Sequence, residues 1–306
     1  MRLSMKTLAG AVLVLLGVSI LISRSWGATA SPEATYAKTW VFNDQALRDL
    51  NIYSDHKVKV TYVTGSGEEN SVSVQGKGSS RLANAVKQTD MSGSGKLRLD
   101  LREPRRGFFW WIGNTFERGE AEIVVKMADE DRLERFGLHG DSGSVAVSGV
   151  RAESVEIAAD SGGVDIQEIT SGKLDVKADS GSVQLRNLTA DKLSVKADSG
   201  SIKGSGIHAD TAVSADSGSI RLENVTGPIR IHADSGSVKL YREDTADTDI
   251  EADSGSIYAS LPSSFAGYFD LRSDSGRISA PSVTPETKDR VKAHTDSGSI
   301  TIELKP

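Results

Sequence analysis

The sequence predicts an all-β protein whose main part is a parallel β-solenoid of about nine coils, 18–22 residues each, behind an irregular β cap at the N-terminal end. Three observations predict it. An Asp-Ser-Gly triplet recurs at Asp141, Asp160, Asp179, Asp198, Asp216, Asp234, Asp253, Asp274 and Asp296, at intervals of 19, 19, 19, 18, 18, 19, 21 and 22 residues. Four residues after every aspartate stands a β-branched residue, from Val145 and Val164 to Ile278 and Ile300. One residue before it stands a small one, alanine in six copies and Gly140, Ser273 and Thr295 in the others. The same residue type at the same offset follows if equivalent strands stack about 4.8 Å apart. An antiparallel sandwich of hairpins would not impose it.

Apolar residues alternate with polar ones on both sides of the triplet, so each repeat holds two short half-buried strands joined by a corner. The triplet is that corner. Its aspartate is expected to accept hydrogen bonds from the amides just beyond it, its serine to do so more weakly, and its glycine to supply a positive φ. The structural turn glycines are therefore Gly143, Gly162, Gly181, Gly200, Gly218, Gly236, Gly255, Gly276 and Gly298. A second corner is expected in the variable segment, as in Asn187-Leu188-Thr189-Ala190-Asp191 and Asn224-Val225-Thr226-Gly227-Pro228, each built around one buried aliphatic. After Ile302 the chain closes on Glu303-Leu304-Lys305-Pro306, and lysine and proline suit an exposed strand edge.

The segments before the repeats divide by composition. Residues 1–30 combine Arg2 and Lys6, an apolar run from Leu8 to Ile22, and the small triplet Ala28-Thr29-Ala30, the pattern of a signal peptide or of a retained membrane anchor. Residues 31–37 form a short polar linker, and 38–137 an N-terminal β cap or irregular first coils. Within it "VKVTYV", "SVSVQG", "KLRLDL" and "AEIVVKMA" are strands; "VTGSGEENS" and "MSGSGK" are turns. One segment stands apart. Phe108, Phe109, Trp110 and Trp111 lie beside Arg105 and Arg106, which suits either a cap over the core or a tip that contacts a membrane or partner.

The candidate chemistry narrows by elimination. "HGDSGSVAV" resembles the nucleophile stretch of trypsin-like proteases, but nine copies cannot be nine nucleophiles, and no base sits in a recognisable context upstream of Ser142. The column Asp141, Asp160, Asp179, Asp198, Asp216, Asp234 and Asp253 invites calcium. A turn role accounts for it without a metal, since neighbouring charges at this spacing repel by only about 0.9 kcal/mol in water. His139, His232 and His294 share one outward offset but lie on non-adjacent coils, which makes them surface residues. A polysaccharide-cleaving solenoid would need long loops walling a cleft, and the repeat length barely varies before Asp253. The one longer segment spends Pro262, Phe265, Tyr268 and Phe269 on packing. With no cysteine there is neither disulfide nor thiolate metal site, and no cofactor is called for. A net charge of −6 provides no basic field for nucleic acid.

The A-D-S-G-S-[VI] repeats, the leader and the run "ASLPSSFAGYFDLRSDSGRI" resemble the bacterial putative-adhesin family of β-strand-repeat proteins, a domain of unknown function that includes the LiaG-like envelope proteins of Gram-positive bacteria. The resemblance covers residues 120–304 well and 36–120 loosely. It implies a surface role by analogy and brings no catalytic residues. The expectation is a non-catalytic, extracytoplasmic scaffold, secreted to the cell surface or membrane-anchored. Its partner is an envelope component or membrane protein, with membrane contact through residues 7–23 and 107–113. A LiaG-like accessory of an envelope-stress response is the alternative, and a carbohydrate-active enzyme the third reading.

Overall fold

The computed structural model describes residues 33–42, 47–65, 70–90, 95–103, 119–128 and 132–305. The leader and the aromatic segment with Arg105, Arg106, Phe108, Phe109, Trp110 and Trp111 lie outside the described residues. No helix among the described residues is long and apolar enough to cross a membrane.

The described chain is all-β apart from one helix, and its strands form one long, open, mostly parallel sheet. The first elements are β1 (Glu33–Phe42), β2 (Asp49–Ser54), β3 (Lys57–Gly65), β4 (Asn70–Ser79), α1 (Ser80–Gln88), β5 (Lys96–Leu101) and β6 (Glu120–Ala128). The triplet repeats begin with β7 (Leu133–Gly140), β8 (Val145–Ser148), β9 (Arg151–Ser161), β10 (Val164–Ser180), β11 (Val183–Ser199) and β12 (Ile202–Ser217). They continue with β13 (Ile220–Thr226), β14 (Ile229–Ser235), β15 (Val238–Arg242), β16 (Thr248–Ser254) and β17 (Ile257–Pro262). The last are β18 (Tyr268–Ser275), β19 (Ile278–Ser279), β20 (Arg290–Ser297) and β21 (Ile300–Lys305).

Successive repeats pair in parallel with the offsets read from the triplet. Val164 faces Val183, Val176 faces Val195 and Ala178 faces Ala197, and the next repeat adds Ile202, Val213 and Ala215 in the same columns. These columns point inward and are buried. A fully buried valine or isoleucine contributes about 1.5–3 kcal/mol, so stacking rather than any single repeat supplies the core. Eight residues after the aspartate, Gly149, Glu168, Asn187, Gly206 and Asn224 adopt left-handed backbone with φ of 78°, 57°, 53°, 67° and 54°. Each is followed by a buried aliphatic: Val150, Ile169, Leu188, Ile207 or Val225. In the Asp234 repeat Arg242 takes the place of that aliphatic. Its buried guanidinium donates to Thr248 Oγ1 (3.0 Å) and the Gly227 carbonyl (2.8 Å), and pairs with Asp244.

The triplet corner is held differently from the expectation. Among the described residues no triplet aspartate accepts a hydrogen bond from a turn amide; the corner is tied by backbone bonds between repeats, such as Gly162 N–H to Ser180 O (2.9 Å) and Val164 N–H to Ser182 O (2.9 Å). Eight of the nine triplet glycines have φ between 105° and 151°. Gly276, on the outermost C-terminal repeat, does not.

Both ends depart from chain order. β20 pairs on one side with β16 and on the other with β18, so the Asp296 repeat lies between the Asp253 and Asp274 repeats. The two longest intervals, 21 and 22 residues, provide the reach. The return segment is pinned by Thr245 Oγ1–H to Asp289 Oδ2 (2.8 Å) and Arg290 N–H to Asp247 Oδ1 (3.0 Å). The Lys305 end is therefore not the blunted edge of the sheet. That edge is β18 and β19, and Tyr268, expected in the packing, is 53% exposed there, while Phe265 and Phe269 do stack on each other.

The N-terminal end mirrors this exchange. β2 and β3 stack directly on β7 and β8, although β5 and β6 intervene in sequence and lie outside them. β4 then joins β6 antiparallel and β1 joins β4 antiparallel. Strand β1 begins at Glu33, so most of the stretch expected as a polar linker is paired. Helix α1 buries Leu82, Ala83 and Val86 and is capped by Ser79, whose Oγ accepts from Leu82 N–H (3.2 Å).

Candidate functional site

Parallel stacking turns each outward offset into a column facing solvent, and two columns collect most of the polar chemistry. The first stands two residues before the aspartate. Lys196 pairs with Asp198 (3.0 Å), His232 with Asp234 (2.9 Å), Arg272 with Asp274 (3.2 Å) and His294 with Asp296 (3.1 Å). These four triplet carboxylates thus face outward, each beside a basic side chain of its own repeat. Among the described residues no three His, Asp or Glu side chains are placed to hold a metal ion.

The exchanged order brings groups together that chain order keeps apart. His232 faces Glu251, and Glu251 faces His294, so two of the three outward histidines flank one carboxylate. Lys292 on β20 reaches Glu251 (2.7 Å) and Asp249 (3.3 Å). A shallow depression of about 410 Å³ lies beside them where small residues, Ala212 and Ser214, separate Lys196 from Arg230 and His232.

This ladder carries a pH dependence. The hydrogen bond from Lys292 holds the Glu251 carboxyl below the usual carboxylate range; desolvation opposes it, and the charges of Lys292, His232 and His294 add to it. A folded pKa below the unfolded value, about 4.3, gives stabilisation that is full above that pH and is lost as the pH falls through the folded value. Glu251→Gln is therefore expected to flatten the acid limb of the stability profile below about pH 4.5, measured as urea midpoints of both proteins from about pH 3 to 6.

The second column stands five residues after the aspartate on the opposite side of the corner. Lys203, Arg221, Lys239 and Tyr258 are successive register partners on β12, β13, β15 and β17. Tyr241, two residues beyond Lys239, lies 5.5 Å from Tyr258 between ring centroids, tilted by 50°. The Arg221 guanidinium is 5.0 Å from the Tyr241 centroid, and the Lys305 ammonium is 5.1 Å from Tyr241 and 5.9 Å from Tyr258. The Tyr258 hydroxyl donates to Glu303 (2.6 Å), and that bond, with burial adding to it, raises the phenol above its ordinary pKa. The sequence reading missed this cluster. Its signal was the column at offset five, where three cations and a tyrosine follow one another.

A third polar group closes the N-terminal end. Glu103 accepts from the Ser79 amide (2.7 Å) and hydroxyl (2.6 Å), and its own N–H donates to Asp55 (2.9 Å). His56 lies 3.3 Å from Asp55 and 3.8 Å from Glu103. Burial, then the charges of Glu103 and Asp55, pushes the Tyr36 phenol up to about 12. These contacts tie the end of β4 and the segment after β5 to the corner between β2 and β3, a position equivalent to a triplet, with Tyr36 of β1 buried near the two carboxylates. The aromatic segment is inserted in the chain directly after Glu103.

A repeat scaffold with solvent-facing side-chain columns along an open, mostly parallel sheet is the class that this geometry defines. The chain belongs to the Toastrack DUF4097 family, whose model matches residues 47–305. Among solved structures, it is similar to one described as a putative lipid binding protein from Parabacteroides distasonis (17% identity, TM-score 0.50, covering 87% of this chain and 96% of that one). It is also similar to a putative adhesin from Bacteroides fragilis (16%, TM-score 0.43, covering 87% and 96%). A putative cell adhesion protein from Clostridium sporogenes matches at 12% identity and TM-score 0.21, covering 89% and 100%. Comparison with curated proteins returned no match.

Proposed function

We propose that the protein is a non-catalytic, extracytoplasmic surface scaffold, a β-solenoid of about nine coils with an N-terminal β cap, that binds a component of the cell envelope through its outward columns. The observation that carries this reading is the cluster of Tyr241, Tyr258, Arg221 and Lys305. Four side chains able to stack and to pair with charge are held against one another on an open face. The leader composition directs the chain out of the cytoplasm. An enzyme of this architecture would gather its acid and base over a walled cleft. Here the outward triplet carboxylates are spread along a column, and four of them, Asp198, Asp234, Asp274 and Asp296, lie beside a basic side chain of their own repeat.

The test incubates full-length protein with envelopes isolated from producing cells. Saturable co-sedimentation without release of new reducing ends is the expected result. Failure to sediment, or release of reducing ends that scales with protein concentration, would sink the reading.

A further inference from the structure

The chain carries a net charge of −6, yet one outward column presents three cations on consecutive rungs: Lys203, Arg221 and Lys239. All three are exposed. Arg221 is paired with Glu223, whereas Lys203 and Lys239 have no ion pair among the described residues. Like charges stacked about 4.8 Å apart repel by roughly 0.9 kcal/mol per neighbour in water, and among the described residues neither lysine makes an ion pair or side-chain hydrogen bond that offsets this. The column runs directly into Tyr258 and lies beside Tyr241. Both rings are half-buried; Arg221 lies over the Tyr241 ring, Lys305 over both rings, and the Tyr258 hydroxyl is held by Glu303.

Deepening the envelope-binding reading, on which it rests, we propose that Lys203, Arg221, Lys239, Tyr241 and Tyr258 form a binding site for an acidic polysaccharide. Anionic groups on successive sugars meet the three cations, in charge-assisted contacts whose spacing is comparable with one pyranose of an extended chain. The sugar rings pack against the parts of the two tyrosine rings that Arg221 and Lys305 leave open, side chains already held in place and so costing little further freedom. The chemistry favours a polysaccharide over a lipid surface, because membrane docking uses exposed apolar side chains. Among the described residues the large exposed ones, Val41, Val63, Val124, Tyr268 and Ile278, lie on other strands.

The experiment measures binding of full-length protein to polygalacturonate, hyaluronan and heparin, with dextran as neutral control, anionic phosphatidylglycerol vesicles and duplex DNA. The Lys203→Ala/Lys239→Ala double variant is carried through the same series. Expected are binding to at least one acidic polysaccharide that weakens with salt, none to dextran, and an increase in Kd of about tenfold or more in the double variant. The melting temperature of that variant should be unchanged or higher, because only repulsion is removed. Tyr258→Ser should weaken polysaccharide binding as well. The site is overturned if the wild type binds none of the three polymers, if dextran binds equally, or if the double variant binds as the wild type does. It is also overturned if the two lysines are needed only for vesicles or only for DNA. Any of these results with envelope co-sedimentation intact removes this site alone; loss of co-sedimentation as well removes the broader reading with it.

Discussion

Replacing Gly162 by alanine is expected to lower stability by about 3 kcal/mol, whereas the same change at Gly163 leaves it unchanged or raises it by about 0.5 kcal/mol. The two glycines are adjacent in sequence and differ in backbone conformation and in what surrounds them. Gly162 has a φ of 122°, and a Cβ there would run into the Gly143 carbonyl of the preceding repeat. A non-glycine residue must therefore strain the backbone and push two stacked corners apart. Gly163 has no such φ, and a Cβ would meet only Ser182 O at 3.5 Å, an ordinary contact. Most repeats already carry serine there, including Ser144, Ser182 and Ser201. Alanine at that position costs nothing in the folded state and reduces the freedom of the unfolded chain. Urea unfolding of the two variants measures the difference. Equal effects at both positions would mean that the corners do not stack glycine on glycine.

Cutting the chain after Lys288 is expected to cost far more than the loss of one end repeat. In a stack that follows chain order the last repeat has one neighbour. Here β20 and β21 pair with β16 and β17 on one side and with β18 and β19 on the other, so the cut removes two interfaces and leaves the Asp274 repeat with no partner strands. Limited proteolysis should then trim the truncated chain back to the neighbourhood of Pro262. An internal deletion of residues 266–289 provides the comparison. It removes 24 residues and shortens the interval from Asp253 to Asp296 from 43 to 19, the common repeat spacing. That chain keeps the β16–β20 and β17–β21 ladders and should unfold close to the wild-type temperature, protease-resistant to its end. If the truncation costs no more than the deletion, the Asp296 repeat does not lie between the other two.

The parts legible in sequence were those that repeat. The alternation around each triplet marked the strands, and the residue columns marked their register, because parallel stacking imposes one residue type at one offset. In the N-terminal part "VKVTYV", "SVSVQG", "KLRLDL" and "AEIVVKMA" correspond to β3, β4, β5 and β6. Helix α1 escaped, although Ser79 followed by Leu82, Ala83 and Val86 has the cap and spacing of a short amphipathic helix. The antiparallel pairing of β1 and β4 left no periodic trace, since either direction of pairing uses the same alternation. The role expected of the triplet aspartates was to bind the turn amides, whereas four of them instead lie beside a basic side chain two residues earlier and the corner itself is tied by the next repeat.

The order of the repeats shows where sequence stops. By itself the sequence determined that equivalent strands stack, which side chains fill the core and which glycines stand at the corners, because each follows from a single repeat meeting a copy of itself. It could not say which copy meets which, since near-identical repeats satisfy the same columns in any order. Only the tertiary structure decided that the Asp296 repeat lies next to the Asp253 repeat. The choice rests on groups distant in the chain: Lys292 set between Asp249 and Glu251 on one side and Asp270 on the other, Thr295 donating to the Gly255 carbonyl, and a return segment held at Asp289 and Arg290.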